Sequence, residues 1–444
     1  MSVPLLSKPL LTISPEMALV DETLCIQVTG CSPYQSILIR ARATDEENKP
    51  FVSRAYFTAN DQGNVNLSKQ KPDRGSYDEV DPMGLFWSME LDHPTKKGYF
   101  VKTTSAPLDL FFSVEVDQEV VAETKVSRSF MDAETSKKTV REHGLVGTLY
   151  HPSASGPYPG VLLLGGSDGG NQEHGAALLA TKGYAVFALS YFGEEGVPKD
   201  LAHIPLEYFG TAIEWLQTQP FVSDEKIGAI GLSRGGELAL LLGTVYPQLR
   251  AIIAGSPSAV VTPGMRNHMY APVQAWMYQD APITYLPFKY RLTNMFTMIR
   301  HLWKREPVSF LSLWLHSLGR ADNVEAARIP VEKIQAPVMI IAGEEDQIWT
   351  SAHFSQMVRE RLKQENRSYN DVYLTYKDAG HFLCFPYSLP NMPANITESV
   401  GKRMVLDYGG DAKSNTHAAL DSWPQILAFF QSTFEDQSQA AKSS

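Results

Sequence analysis

Gly231-Leu232-Ser233-Arg234-Gly235 sets one serine between two glycines, and its surroundings give the pattern meaning. Before it runs Lys226-Ile227-Gly228-Ala229-Ile230, with the character of a buried strand; after it, Gly235-Gly236-Glu237-Leu238-Ala239-Leu240-Leu241-Leu242 reads as an apolar helix. A serine at so tight a strand-to-helix turn has its hydroxyl held above the sheet, with backbone N–H groups aimed at a reacting carbonyl. Serine is a poor nucleophile near neutral pH, so this chemistry needs a base within hydrogen-bond reach and a third group to orient that base. The expected chain order is serine, acid, histidine. Asp346 follows the apolar run Pro337-Val338-Met339-Ile340-Ile341-Ala342-Gly343, and His381 follows a strand pattern from Asp371 to Gly380, with Gly380 expected to leave room for the imidazole. Glu344, Glu345 and Asp378 lie nearby and read as solvated loop acids, whereas His301, His316, His353 and His417 lack the strand-to-loop setting of His381.

A second turn, Gly165-Gly166-Ser167-Asp168-Gly169-Gly170, follows an early core strand. There the Ser167 N–H, paired with the Arg234 N–H, is expected to receive the negative oxygen of a tetrahedral intermediate. A nucleotide-binding loop is disfavoured, because no Walker lysine follows and the spacing is not G-x-G-x-x-G. No His, Asp and Glu set reads as a metal centre, and no cofactor is expected.

These residues need a scaffold. From about Gly144, strand and helix patterns alternate, as in a parallel sheet covered on both faces. Helices are expected over Gln172 to Lys182, Pro205 to Gln217, Gly235 to Thr244, Ser351 to Lys363 and Thr416 to Phe434. Residues 1–126 instead carry short β-rich runs separated by turn formers, and read as a sandwich serving as a structural module. A polar stretch, 127–143, reads as the linker to a catalytic domain over 144–444. Within that domain about 262–331 lacks sheet signals and is dense in aromatic and basic residues, so it reads as a helical cap-like insertion. Its cations, among them Lys289, Arg291, Arg300, Lys304 and Arg305, lie beside Tyr290, Phe296 and Trp303, a mixture suited to phosphates next to an aromatic base. The fold class is therefore α/β: an α/β-hydrolase domain behind an N-terminal β-sandwich.

With 444 residues and a formal charge of −10, the chain is large enough for two domains and is a poor general partner for nucleic acid. It has no apolar run long enough for a membrane span. Cys25, Cys31 and Cys384 are too few and scattered for a disulfide framework. Neither a secretion signal nor a Ser-Lys-Leu tail is read, so a cytoplasmic location is expected. Oligomeric state is left open.

The sequence resembles the acyl-CoA thioesterase and bile-acid-CoA:amino-acid N-acyltransferase family over nearly its whole length. The motifs are DPMGLFW at Asp81 to Trp87, LEYF at Leu206 to Phe209, GLSRGGEL around Ser233, GEEDQIW at Gly343 to Trp349, AGHFLCFPY at Ala379 to Tyr387, and LDSWPQILAFF near the C-terminus. The resemblance implies an immunoglobulin-like N-terminal sandwich, an α/β-hydrolase domain and an acyl-CoA substrate. The family's thioesterases carry serine at the elbow and its typical bile-acid transferase cysteine, so Ser233 implies hydrolysis, with transfer to an amine or alcohol as the alternative.

Overall fold

The computed structural model describes residues 8–93, 96–365, 367–400 and 404–442. Eight strands form the large sheet: β1 (Thr135–Val140), β2 (Val146–Pro152), β3 (Tyr158–Leu164), β4 (Ala185–Ser190), β5 (Val222–Leu232), β6 (Leu249–Gly255), β7 (Val338–Gly343) and β8 (Val372–Tyr376). Their spatial order is β1-β2-β4-β3-β5-β6-β7-β8; β2 is antiparallel to its neighbours and every pair from β4 to β8 is parallel. The six residues of β4 and the six of β7 are all buried, as expected of strands covered by helices on both faces.

The helices of this domain are α1 (Glu173–Ala180), α2 (Leu206–Gln217), α3 (Arg234–Val245), α4 (Leu292–Lys304), α5 (Leu311–Leu318), α6 (Ala321–Ala327), α7 (Ser351–Gln364) and α8 (Ala412–Lys442). Helix α8 begins four residues before the expected Thr416, which places Pro424 in its interior.

Two antiparallel-rich sheets precede this domain. One joins Leu10–Ser14, Cys25–Thr29 and Val65–Asn66; the other is built on Ser36–Thr44, Pro50–Thr58, Leu108–Val116 and Glu119–Ser129. Ile37, Ile39, Ala41 and Ala43 alternate inward along Ser36–Thr44, while Arg42 faces out.

Two expected stretches differ. The stretch expected as a linker, 127–143, carries the end of Glu119–Ser129 and all of β1. Strand β1 pairs only with β2, so it is an edge strand; its Lys137 and Lys138 are exposed, and polar edges lack the apolar alternation that betrays a central strand. The insertion at 262–331 is only partly helical. Besides α4, α5 and α6 it holds the hairpin Pro263–Arg266 with Met269–Gln274, and the short strands Trp276–Tyr278 and Ala281–Pro282. Asn267 and His268 turn that hairpin with φ of +49° and +62°, as a type I′ turn requires, and asparagine at the first position was the available signal.

Candidate active site

Strand β5 ends at Leu232 and α3 begins at Arg234, leaving Ser233 alone at the corner. It holds φ +61° and ψ −122°, a conformation that costs a residue with a β-carbon about 1–3 kcal/mol. The surrounding backbone enforces it. A Cβ on Gly231 would come within 2.4 Å of Gly235, and one on Gly235 within 2.4 Å of the Leu164 carbonyl oxygen. The Ser233 N–H donates to the Gly255 carbonyl at 2.9 Å, tying the corner to the end of β6.

Asp346 lies in the loop after β7 and His381 in the loop after β8, so both stand at the carboxyl edge of the sheet with Ser233. His381 Nδ1 is 2.8 Å from Asp346 Oδ2. The other carboxylate oxygen, Oδ1, accepts the N–H groups of Ile348 at 2.9 Å and Trp349 at 3.2 Å, which fixes the acid. A carboxylate on Nδ1 selects the tautomer protonated there and leaves Nε2 as the basic nitrogen. Trp349 meets the imidazole edge-on at 5.6 Å between ring centres, and Ser256 Oγ donates to the His381 carbonyl at 2.7 Å. Ser233, Asp346 and His381 are 6%, 2% and 2% exposed, so charge on them is poorly screened by water.

Gly380 works differently from expectation. A Cβ there would lie 2.0 Å from the Gly409 carbonyl oxygen, so the space it vacates admits the 408–410 backbone, against which the His381 N–H bonds to Tyr408 at 2.8 Å. The nearby acids separate by burial: Glu344, Glu345 and Asp378 are exposed, and only Asp346 meets the imidazole. Among the other histidines, His353 is exposed, His417 pairs with Glu79 on the surface, and His301 bonds to Pro307.

Ser233 and His381 border a cavity of about 360 Å³ that Ser167 also lines. Arg234 is the first residue of α3, so its N–H precedes the intrahelical ladder. Its side chain turns away, with Nη1 3.0 Å from Glu237 Oε2 and both side chains fully buried. In the glycine turn, the Gly166 N–H is taken by the Tyr387 hydroxyl and the Gly165 carbonyl by Tyr191, while Ser167 faces the cavity.

The cavity reveals residues that the sequence did not. Tyr99, Val101, Lys102 and Thr103 of the N-terminal domain form part of its wall, so that domain is more than the expected structural module. Tyr387 donates to Asp168 across the glycine turn; it lies inside the motif Ala379 to Tyr387, which was the available signal. Asp168 is exposed to the cavity, and desolvation by the surrounding walls pushes its pKa up to about 6 against the opposing hydrogen bond from Tyr387. Burial also pushes the Cys384 thiol far above its ordinary range, which leaves it an inert apolar group.

The strand order and the serine corner after β5 define an α/β-hydrolase fold. Residues 204–436 match the family described as BAAT / Acyl-CoA thioester hydrolase C terminal, and residues 21–142 match Acyl-CoA thioester hydrolase/BAAT N-terminal region. The chain belongs to this acyl-CoA thioester hydrolase and bile-acid-CoA:amino-acid N-acyltransferase family. It is 29% identical to the peroxisomal succinyl-coenzyme A thioesterase of Mus musculus, over 92% of this chain and 93% of that one. It is 32% identical to acyl-coenzyme A amino acid N-acyltransferase 1 of Mus musculus, over 95% of this chain and 96% of that one. Among solved structures, a putative dienelactone hydrolase from Klebsiella pneumoniae is similar at 16% identity and a TM-score of 0.38, covering 67% of this chain and 98% of that one.

Proposed function

We propose that this chain hydrolyses acyl-CoA thioesters through an acyl-serine intermediate, with Ser233 as nucleophile, His381 as base and Asp346 as its orienting acid. The observation that carries this is the 2.8 Å contact between His381 Nδ1 and Asp346 Oδ2 behind a cavity that Ser233 shares. His381 Nε2 takes the Ser233 proton as Oγ attacks the thioester carbonyl, and the N–H groups of Ser167 and Arg234 receive the developing oxyanion. The C–S bond breaks as His381 passes that proton to the departing CoA sulfur. Water, deprotonated by the again-neutral His381, then attacks the acyl-serine, and the proton returns to Ser233 Oγ as the carboxylic acid leaves. No cofactor enters either step.

The largely apolar and aromatic lining, including Met265, Phe310, Ile348 and Phe382, suits an acyl group. Serine at the elbow favours water over an amine as the second nucleophile. We place the protein in the cytoplasm, a reading that the free thiols of Cys25, Cys31 and Cys384 support, although one relative is named as peroxisomal. The test is Ser233→Ala with an acyl-CoA panel and thiol release as readout. Turnover falls by about 10⁴-fold or more if the serine is the nucleophile; a folded variant within tenfold of wild type overturns the assignment. Product analysis with glycine or taurine present separates hydrolysis from transfer, and a dominant amide product would replace this reading with the transferase one.

A further inference from the structure

The insertion presents an apolar surface that catalysis does not use. Of the fifteen large hydrophobic side chains exposed among the described residues, seven lie between Tyr290 and Leu315. Four of them, Leu292, Phe296, Ile299 and Trp303, are spaced by four, three and four residues on α4 and so share one helix face. They are 73%, 70%, 57% and 81% exposed, an unusual cost for four bulky groups on one stripe.

Charge surrounds the stripe. From Lys289 to Arg305 there are five Lys and Arg residues and no carboxylate, in a chain of net charge −10. Arg300 and Lys304 reach Glu306 at 3.4 and 3.8 Å in exposed, weak pairs, whereas among the described residues Lys289, Arg291 and Arg305 make no ion pair. None of these five cations lines the cavity. The helix nonetheless joins its wall: Pro307–Val308, directly after α4, pairs with Val405 and Leu406, and Leu406 and Phe310 border the cavity.

We propose that this face of α4, with its cations, docks on an anionic phospholipid bilayer. An apolar stripe containing tryptophan and edged by Lys and Arg is the composition that settles in a headgroup layer, with the rings and aliphatic groups among the upper acyl segments and the cations on the phosphates. A second copy of the chain is the poorer occupant, because a twofold contact on this helix would set the same five cations against each other. Docking holds a cavity lined for an acyl group beside the phase in which long acyl chains reside.

The test is co-sedimentation of the full chain with vesicles of phosphatidylcholine alone and of phosphatidylcholine with phosphatidylserine, at low and high salt. The proposal expects at least about tenfold stronger partitioning to the phosphatidylserine vesicles, weakened by salt. Phe296→Glu with Trp303→Glu abolishes sedimentation, and Arg291→Gln with Arg305→Gln lowers it mainly for the anionic vesicles. Both variants keep wild-type melting temperature and turnover of a short thioester that carries no phosphate, since neither pair touches the cavity and that substrate leaves any hold of these residues on CoA phosphates out of the readout. Wild-type protein that does not sediment, or binding unaffected by the double glutamate variant, overturns the proposal. So does a wild-type dimer that this variant converts to monomer, which would make a second copy the occupant.

Discussion

The proposed role of Asp346 rests on contact and burial rather than on residue type, since Glu344 and Glu345 offer the same carboxylate in the same loop. Its Oδ2 meets His381 Nδ1 at 2.8 Å and its Oδ1 is held by two backbone N–H groups, whereas both glutamates are exposed. Asp346→Asn keeps the size of the group but favours the imidazole tautomer with its proton on Nε2, which cannot accept from Ser233. Turnover of acyl-CoA should fall by about 10³ to 10⁴-fold, while Glu345→Gln stays within a few-fold of wild type. Steady-state kinetics on both variants checks this, and a crippled Glu345→Gln beside a nearly silent Asp346→Asn would reassign the acid. At this scale the residues on which the proposal rests were legible: Ser233, Asp346 and His381 stood out because each follows a strand pattern. Tyr387 and Tyr99 did not stand out, since an aromatic residue in a loop has no periodicity to mark it and faces the cavity only through long-range folding.

At the scale of elements, the hinge between the serine helix and the insertion is a buried carboxylate. Glu237 on α3 accepts from Arg234 Nη1 at 3.0 Å, Thr262 Oγ1 at 2.6 Å and Trp276 Nε1 at 2.9 Å. Burial pushes its pKa up while Arg234 and the two donors from the insertion oppose that shift. Removing the carboxylate leaves a buried guanidinium with no counter-charge, so Glu237→Ala should cost about 3–5 kcal/mol in urea unfolding. The exposed Glu225→Ala should stay within about 0.5 kcal/mol; equal small effects from both would show that the pair does not secure the insertion. The sequence showed α3 by its apolar run but not this anchor, because Thr262 and Trp276 are 25 and 39 residues from Glu237. For the same reason the insertion read as helical: its strands are two to six residues long, too short for an alternating pattern to emerge.

Across the whole molecule, the two domains share one continuous apolar core and several buried polar ties, so the junction is part of the fold rather than a tether. The Phe100 N–H donates to Asn395 at 2.8 Å, Arg128 and Asn391 both reach the Val20 carbonyl, and Trp423 on α8 bonds to Asp21. His174, at the start of α1, sits in this junction: its N–H donates to the Thr103 carbonyl at 3.1 Å and its ring meets Phe130 edge-on. Burial first, and then the nearby Lys102 charge, lower its pKa from 6.5 to about 4. A histidine that refuses a proton when folded and accepts one when unfolded adds stability above pH 6.5, and that stability is lost as pH falls toward 4. The difference amounts to about 3 kcal/mol. Asp168 runs the other way: its pKa is raised to about 6, so its contribution is present below 3.8 and lost as pH rises through 6, though exposure to the cavity screens it. The two partly cancel in the wild type, and variants separate them. His174→Gln should lose about 2–3 kcal/mol less than wild type between pH 7 and 4.5, whereas Asp168→Asn should lose more than wild type. Denaturant midpoints at the two pH values measure both slopes, and a His174→Gln slope equal to that of wild type would show that acid enters the fold at some other group.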